Sequence, residues 1–151
     1  MILRNIFILS SFFISSSVMA SEDYSVTFKN HTNGAVTIKV INSICMHSTG
    51  KIPINVVSGG SESTSIQDKN SGIACINGYK QVFWNVYPNN NQNNQNNLYT
   101  QIKFNHEKRG GKWLTQISGQ NISATCNGTP CSNLGNNGVQ AGGPIIITIG
   151  G

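Results

Sequence analysis

The segment KQVFWNVY, residues 80–87, places its side chains alternately on the two sides of an extended chain. One side carries Val82, Trp84 and Val86. This period of two predicts a β-strand with Trp84 in the core. The opposite side carries Phe83 and Tyr87, and the outer faces of a β-sandwich are partly exposed to solvent. We therefore take Phe83 and Tyr87 as candidate binding residues.

The same alternation recurs on both sides of this segment. Further strands are predicted at residues 24–29, 35–42, 52–57, 63–67, 98–104, 112–117, 121–126 and 145–149. No segment shows the sustained 3.6-residue apolar stripe of a helix. Eight or nine short strands predict an all-β fold, an antiparallel β-sandwich with a small β-barrel as the alternative. The last run, IIITI, is apolar on both faces and is predicted inside a sheet.

Three segments between the strands are predicted as turns or loops. HTNG, residues 31–34, ends in Asn-Gly and predicts a hairpin between the first two strands. HEKRGG, residues 106–111, predicts another turn. The Asn/Gln-rich segment at residues 88–97 is predicted as an uncharged surface loop joining consecutive strands, since Pro88 ends the first of them. Closing so long a loop costs only ~1.5 kcal/mol more than a tight turn.

Residues 1–20 have the pattern of a secretory signal peptide. Arg4 lies in the short n-region, residues 6–18 form an apolar h-region, and Val18 and Ala20 occupy the −3 and −1 positions. The apolar run contains serines and is shorter than the about 20 residues that a membrane-spanning helix needs. The sequence therefore predicts cleavage after Ala20 and a secreted or periplasmic protein without a transmembrane segment. Residues 21–151 are long enough for a single domain.

The four cysteines of the chain all follow the predicted cleavage site. In an oxidising compartment they predict two disulfides, and four cysteines permit three pairings. We favour Cys126–Cys131, which closes CNGTPC, together with Cys45–Cys75. The alternative is a four-cysteine zinc site, but the wide spacing of Cys45 and Cys75 provides no second zinc knuckle. We predict neither a metal nor a cofactor.

The sequence contains few residues suited to catalysis. His106 and Glu107 begin like HExxH, but Gly110 occupies the position of the second histidine, and G-x-S-x-G is absent. The candidate acids and bases are His31, His47, His106, Glu62, Asp68 and Glu107. Only folding can bring them together, so a small secreted hydrolase, either a nuclease or a glycosidase, is the alternative function.

Basic residues are concentrated in KFNHEKRGGKW, residues 103–113. The candidate binding residues there are Lys103, His106, Lys108, Arg109 and Lys112. An electropositive hairpin end beside aromatic residues suits anionic lipid head groups, acidic glycans or nucleic-acid phosphates. The alternative is an ordinary solvated turn whose charges protect the sheet edge from aggregation.

The overall charge is only mildly basic. Without residues 1–20 the net charge is +4 and is spread along the chain, which argues against dedicated nucleic-acid binding. The sequence therefore favours a secreted binding module over an enzyme. The expected ligand is a glycan, an anionic lipid surface or another protein, and a lytic or host-directed role falls within this class. The oligomeric state is left open.

Overall fold

The computed structural model describes residues 21–89, 97–135 and 137–151 of the 151-residue chain. The described residues form eleven strands. These strands are β1 (Asp23–Asn30), β2 (Val36–Ile44), β3 (Met46–Ser48), β4 (Ile54–Val56), β5 (Ser61–Asp68), β6 (Lys80–Pro88), β7 (Thr100–Arg109), β8 (Lys112–Ser118), β9 (Ile122–Cys126), β10 (Thr129–Pro130) and β11 (Ile145–Ile149). In these described ranges no helix is long and apolar enough to cross a membrane. The predicted signal peptide lies outside the described residues.

The strands form two sheets that face each other across one core. The six-stranded sheet has the order β10-β9-β11-β1-β5-β3, and the five-stranded sheet has the order β4-β2-β6-β7-β8. The all-β sandwich prediction is therefore confirmed. Its pairings are antiparallel except for that between β1 and β11, which is parallel. β11 lies between β9 and β1, so the IIITI run is inside a sheet as predicted.

The core lies between the two sheets and follows the alternation of the strands. Trp84 from β6 is buried as predicted, and its ring meets the ring of Phe28 from β1 edge-on at 5.4 Å. Val82 and Val86 flank Trp84, while Ile147 on β11 is wholly buried in the opposite sheet. Alternate residues along the strands of both sheets thus fill the space between the sheets.

The HTNG segment does not form the predicted hairpin. β1 pairs with β5 and β11, whereas β2 pairs with β4 and β6, so the segment carries the chain from one sheet to the other. The side chain of Asn30 is buried and donates to Gly34 O at 2.8 Å and Val56 O at 3.0 Å. β1 and β2 therefore belong to different sheets, and the apolar residues of each are directed into the core between the sheets.

The HEKRGG turn is also shorter than predicted. β7 continues to Arg109, and only Gly110 and Gly111 connect it to β8. Both glycines have positive φ angles, 54° and 78°, as a two-residue turn between twisted strands requires.

Two other connections agree with the sequence. β6 and β7 pair as an antiparallel hairpin, so the Asn/Gln-rich segment joins consecutive strands, although its residues 90–96 lie outside the described part. Both favoured disulfides, Cys45–Cys75 and Cys126–Cys131, are present. The first attaches residues 69–79 to the end of β2 and the second closes the turn after β9.

Candidate functional site

The predicted binding residues lie on both sides of the five-stranded sheet. We call the side turned away from the core the outer face. It carries Phe83, Tyr87, Lys103 and Arg109, and Lys112 lies opposite Arg109 in the ladder of β7 and β8. His106 and Lys108 alternate with these residues and so extend from the inner side.

The aromatic residues of the outer face each lie beneath a lysine. The ammonium of Lys39 is 5.5 Å from the ring centroid of Tyr87, and that of Lys103 is 5.5 Å from the ring centroid of Phe83. Both rings are half-buried. Lys103 therefore belongs to the middle of the outer face and is remote from the hairpin turn.

The cationic hairpin tip consists of residues 108–112. Lys108 and Lys112 are exposed, while Arg109 pairs with Glu107 at 2.5 Å between Nη2 and Oε1. His106 is not part of this surface, since its residue is only 6% exposed. Lys108 and Lys112 are thus the tip cations without a carboxylate within ion-pair distance among the described residues.

A second surface, which the sequence analysis did not select, lies beside the tip. We call residues 69–79 the apolar loop. Ile73 is 100% exposed, and Ile76 and Tyr79 are exposed on the same segment. The segment contains no acidic residue and only Lys69 as a basic one. The signal available in the sequence was a pair of isoleucines in the turn-like segment SGIACING, where apolar side chains have no strand to bury them.

The apolar loop and the hairpin tip are joined by Lys80, the first residue of β6. Its ammonium donates to Lys69 O at 2.7 Å and also to Cys75 O. The same ammonium lies 5.4 Å from the ring centroid of Trp113, which is opposite Lys108 in the hairpin. Lys80 therefore fixes both surfaces at one end of the sandwich.

Beneath Trp113 is a buried polar cluster that contains His106. The ring of His106 stacks on Trp113 at 4.9 Å, and His106 Nδ1 is 2.8 Å from Thr115 Oγ1. Because the Thr115 hydroxyl donates to Ala141 O, it must accept from His106, so Nδ1 carries the proton. Burial lowers the pKa of His106 to about 4; Asp68 opposes this shift and Lys80 adds to it.

Two further groups complete the cluster. The Tyr24 hydroxyl donates to Glu22 Oε2 at 3.3 Å and Asp68 Oδ2 at 3.4 Å. Burial raises the pKa of Tyr24, and the charges of Asp68 and Glu22 raise it further. Burial also lowers the pKa of Lys80, against the effect of Asp68. All these side chains are bonded within the protein, which gives the cluster a structural role.

The candidate acids and bases are mostly separated. His31, His47 and Glu62 are exposed, and Glu107 lies on the outer face. His106 and Asp68 share the buried cluster, but His106 bonds Thr115, and Asp68 bonds the backbone nitrogen of Glu22. In the described ranges no hydrogen bond joins any two of the six candidates, and no cluster of three metal-ligating residues occurs.

The outer face also contains a depression of about 590 Å³. Its lining comes from the end of the apolar loop, from β6, β7 and β8, and from the segment after β10. It includes Tyr79, Gln81, Asn105, Glu107, Arg109 and Gln116. Two of the predicted binding residues, Lys103 and Arg109, line it. The amide residues carry no sequence signal for a site, because neutral polar side chains at alternating positions are ordinary on an exposed sheet face.

Comparisons with known proteins give little further information. No protein-family model matches the chain, and no curated protein matches it in sequence. Among solved structures, the chain is similar to IP-1A from Alcaligenes faecalis, with a TM-score of 0.46 and 10% identity over 84% of this chain and 89% of that one. We take no functional conclusion from so remote a likeness.

Proposed function

We propose that the protein is a binding module, exported to an oxidising compartment, that attaches to anionic membrane surfaces through one end of the sandwich. The observation that carries the proposal is the complete exposure of Ile73 on a loop held by the Cys45–Cys75 disulfide. Among the described residues Ile73 is the most exposed large apolar side chain, and it shares one loop with the exposed Ile76 and Tyr79. Several exposed apolar residues on one segment mark an interaction site more strongly than a single one does.

The apolar loop is suited to enter the interfacial region of a bilayer. Burying an isoleucine side chain that was fully exposed to water contributes about 1.5–3 kcal/mol. Ile76 is 48% exposed and adds a smaller amount. Tyr79, with an apolar ring and a polar hydroxyl, is of the type found at the level of lipid head groups. The disulfide and the bonds from Lys80 hold the loop in place, which lowers the entropic cost of binding.

The cations of the neighbouring hairpin tip favour lipid over a protein partner as the occupant. A lysine close to an anionic leaflet contributes about 1 kcal/mol. Lys108 and Lys112 extend from the β7–β8 hairpin beside the apolar loop, and Lys69 is the first residue of the loop itself. The acidic Glu22 and Asp23 lie at the start of β1 in the other sheet. Together the contributions approach the roughly 5.5 kcal/mol of a single myristoyl chain, so we expect reversible binding with an association constant on the order of 10⁴ M⁻¹.

The test is co-sedimentation of the oxidised protein with phosphatidylcholine vesicles, with and without phosphatidylserine. Replacing Ile73 by serine (Ile73→Ser) removes the apolar contact and is expected to lower the partition coefficient about 10- to 100-fold on anionic vesicles. The matched control is Val57→Ser, which changes another exposed apolar residue at the opposite end of the sandwich and should bind like the wild type.

The electrostatic part is tested separately with Lys108→Gln/Lys112→Gln. This double variant should lose about 30-fold in binding to phosphatidylserine-containing vesicles, and the loss should shrink as salt increases. Equal binding of the wild type to neutral and anionic vesicles, or unchanged binding by Ile73→Ser, would contradict the proposal.

A further inference from the structure

We propose that the depression on the outer face is a second, independent binding site, for a sugar ring of a glycan. It lies on β6, β7 and β8, and two of its lining residues, Lys103 and Ser118, face each other in the β7 and β8 ladder. Its volume, about 590 Å³, falls in the usual range of about 300–1,000 Å³ for small-molecule sites. The membrane-binding end and this site share Tyr79, at the end of the apolar loop, and Arg109, in the hairpin tip, while their other residues differ.

The floor of the depression is a connected chain of polar side chains. Gln81 Nε2 donates to Asn105 Oδ1 at 2.7 Å, and Asn105 Nδ2 donates to Glu107 Oε1 at 2.9 Å. Arg109 Nη2 approaches the same Glu107 oxygen at 2.5 Å. Gln81, Asn105 and Glu107 are only 8%, 8% and 7% exposed, although they are on the side of the sheet away from the core. Their mutual bonds hold their orientations fixed before any ligand arrives.

This chain keeps hydrogen-bonding capacity toward the depression. Gln81 and Asn105 each use one of their two amide hydrogens within the chain, and Asn105 and Arg109 both reach the same oxygen of Glu107, Oε1. Gln116, opposite Asn105 on β8, donates Nε2 to Gly135 O at 2.9 Å and keeps its own carbonyl oxygen. Three amide side chains, Gln81, Asn105 and Gln116, therefore lie in one row across β6, β7 and β8, with Glu107 beside the row on β7.

The chemistry of this row fits neighbouring hydroxyl groups. Each hydroxyl of a sugar both donates and accepts, so a row of amides with a carboxylate satisfies it better than a set of cations does. Tyr79 is 57% exposed at the edge of the depression and offers a ring face to the C–H side of a pyranose. Phosphate is a poorer fit, because Glu107 is acidic and is paired with Arg109.

The experiment is a titration of the ¹⁵N-labelled, oxidised protein with lactose, cellobiose, maltose, mannobiose and chitobiose, followed by NMR. At least one disaccharide should shift the side-chain amide signals of Gln81, Asn105 and Gln116 in a saturable way. Tyr79→Ala and Gln116→Ala should each weaken that binding about tenfold, since each removes one contact surface. The matched control is Gln101→Ala, an exposed amide on β7 outside the depression, which should bind as the wild type does.

The outcomes separate this proposal from the membrane proposal. Ile73→Ser should bind the disaccharide normally, and Gln116→Ala should bind anionic vesicles normally, so either proposal can fail alone. The sugar site is refuted if no disaccharide in the panel shifts these amides, or if Tyr79→Ala and Gln116→Ala both bind as tightly as the wild type. It is also refuted if inorganic phosphate moves the same signals and the sugars do not.

Discussion

The buried histidine makes stability depend on pH in a way that one substitution can isolate. His106 is packed between Trp113 and the core, is 6% exposed, and has a pKa of about 4 in the folded protein. Burial is the main cause of the low value. Asp68 on β5 and Lys80 on β6 are the charged groups that act on it, with opposite effects. In the unfolded chain the same side chain titrates near 6.5.

The sign follows from the lower folded pKa. Above pH 6.5 the histidine is neutral in both states, and its contribution to stability is fully present. As the pH falls from 6.5 toward 4, the unfolded state binds a proton that the folded state does not, so stability is lost. Between pH 7.5 and pH 4.5 the loss through His106 alone amounts to about 2.5 kcal/mol.

The assay is urea unfolding of the oxidised protein at these two pH values, for the wild type, His106→Gln and His47→Gln. His106→Gln removes the titrating group, so the wild type should lose about 2.5 kcal/mol more than this variant on acidification. Other groups titrate in both proteins and cancel in the comparison. His47 is exposed on β3, and its variant should follow the wild type. If His106→Gln loses as much stability as the wild type, the argument from burial is refuted.

Two further predictions concern the covalent and polar links at the ends of the sandwich. Lys80→Met leaves the carbonyls of Lys69 and Cys75 without their ammonium donor, so unfolding free energy should fall by about 1–3 kcal/mol and protease should cut residues 69–79 faster; unchanged cleavage would show that the disulfide alone holds the loop. Replacing Cys126 and Cys131 together by serine removes a disulfide that joins residues five positions apart. The unfolding free energy measured in urea should fall by about 2 kcal/mol, and a variant that fails to fold would contradict this value.

Much of the fold was predictable because its signals are local. The alternation of Val82, Trp84 and Val86 gave the strand and its buried side, and the apolar IIITI run gave an interior strand. The favoured cysteine pairing was also correct. The pairing partner of each strand was harder to predict from the sequence. Asn-Gly between two strands indicates that the chain reverses direction, but it does not indicate whether the two strands belong to the same sheet.

The candidate site was predicted only in part. The basic residues around the β7–β8 turn were evident from composition, but their distribution over the two faces of the sheet was not. Alternation places Lys103 and Arg109 on the outer face and turns His106 inward, where the opposite sheet buries it. For Ile73 the sequence offered only a weak signal, two isoleucines in a turn-like segment, and its complete exposure is visible only in the structure.

The sequence by itself determined nine of the strand-forming segments, though not the short β3 and β10, the inward side of those with clear alternation, and the small set of residues that can cross-link or carry charge. These follow from periodicity and residue type, which act over a few neighbouring positions. Only the tertiary structure decided that the apolar loop and the cationic tip share one end, and that Gln81, Asn105 and Glu107 form one chain. The physical reason is that such contacts join residues from different strands, and their register is fixed by the packing of the whole core.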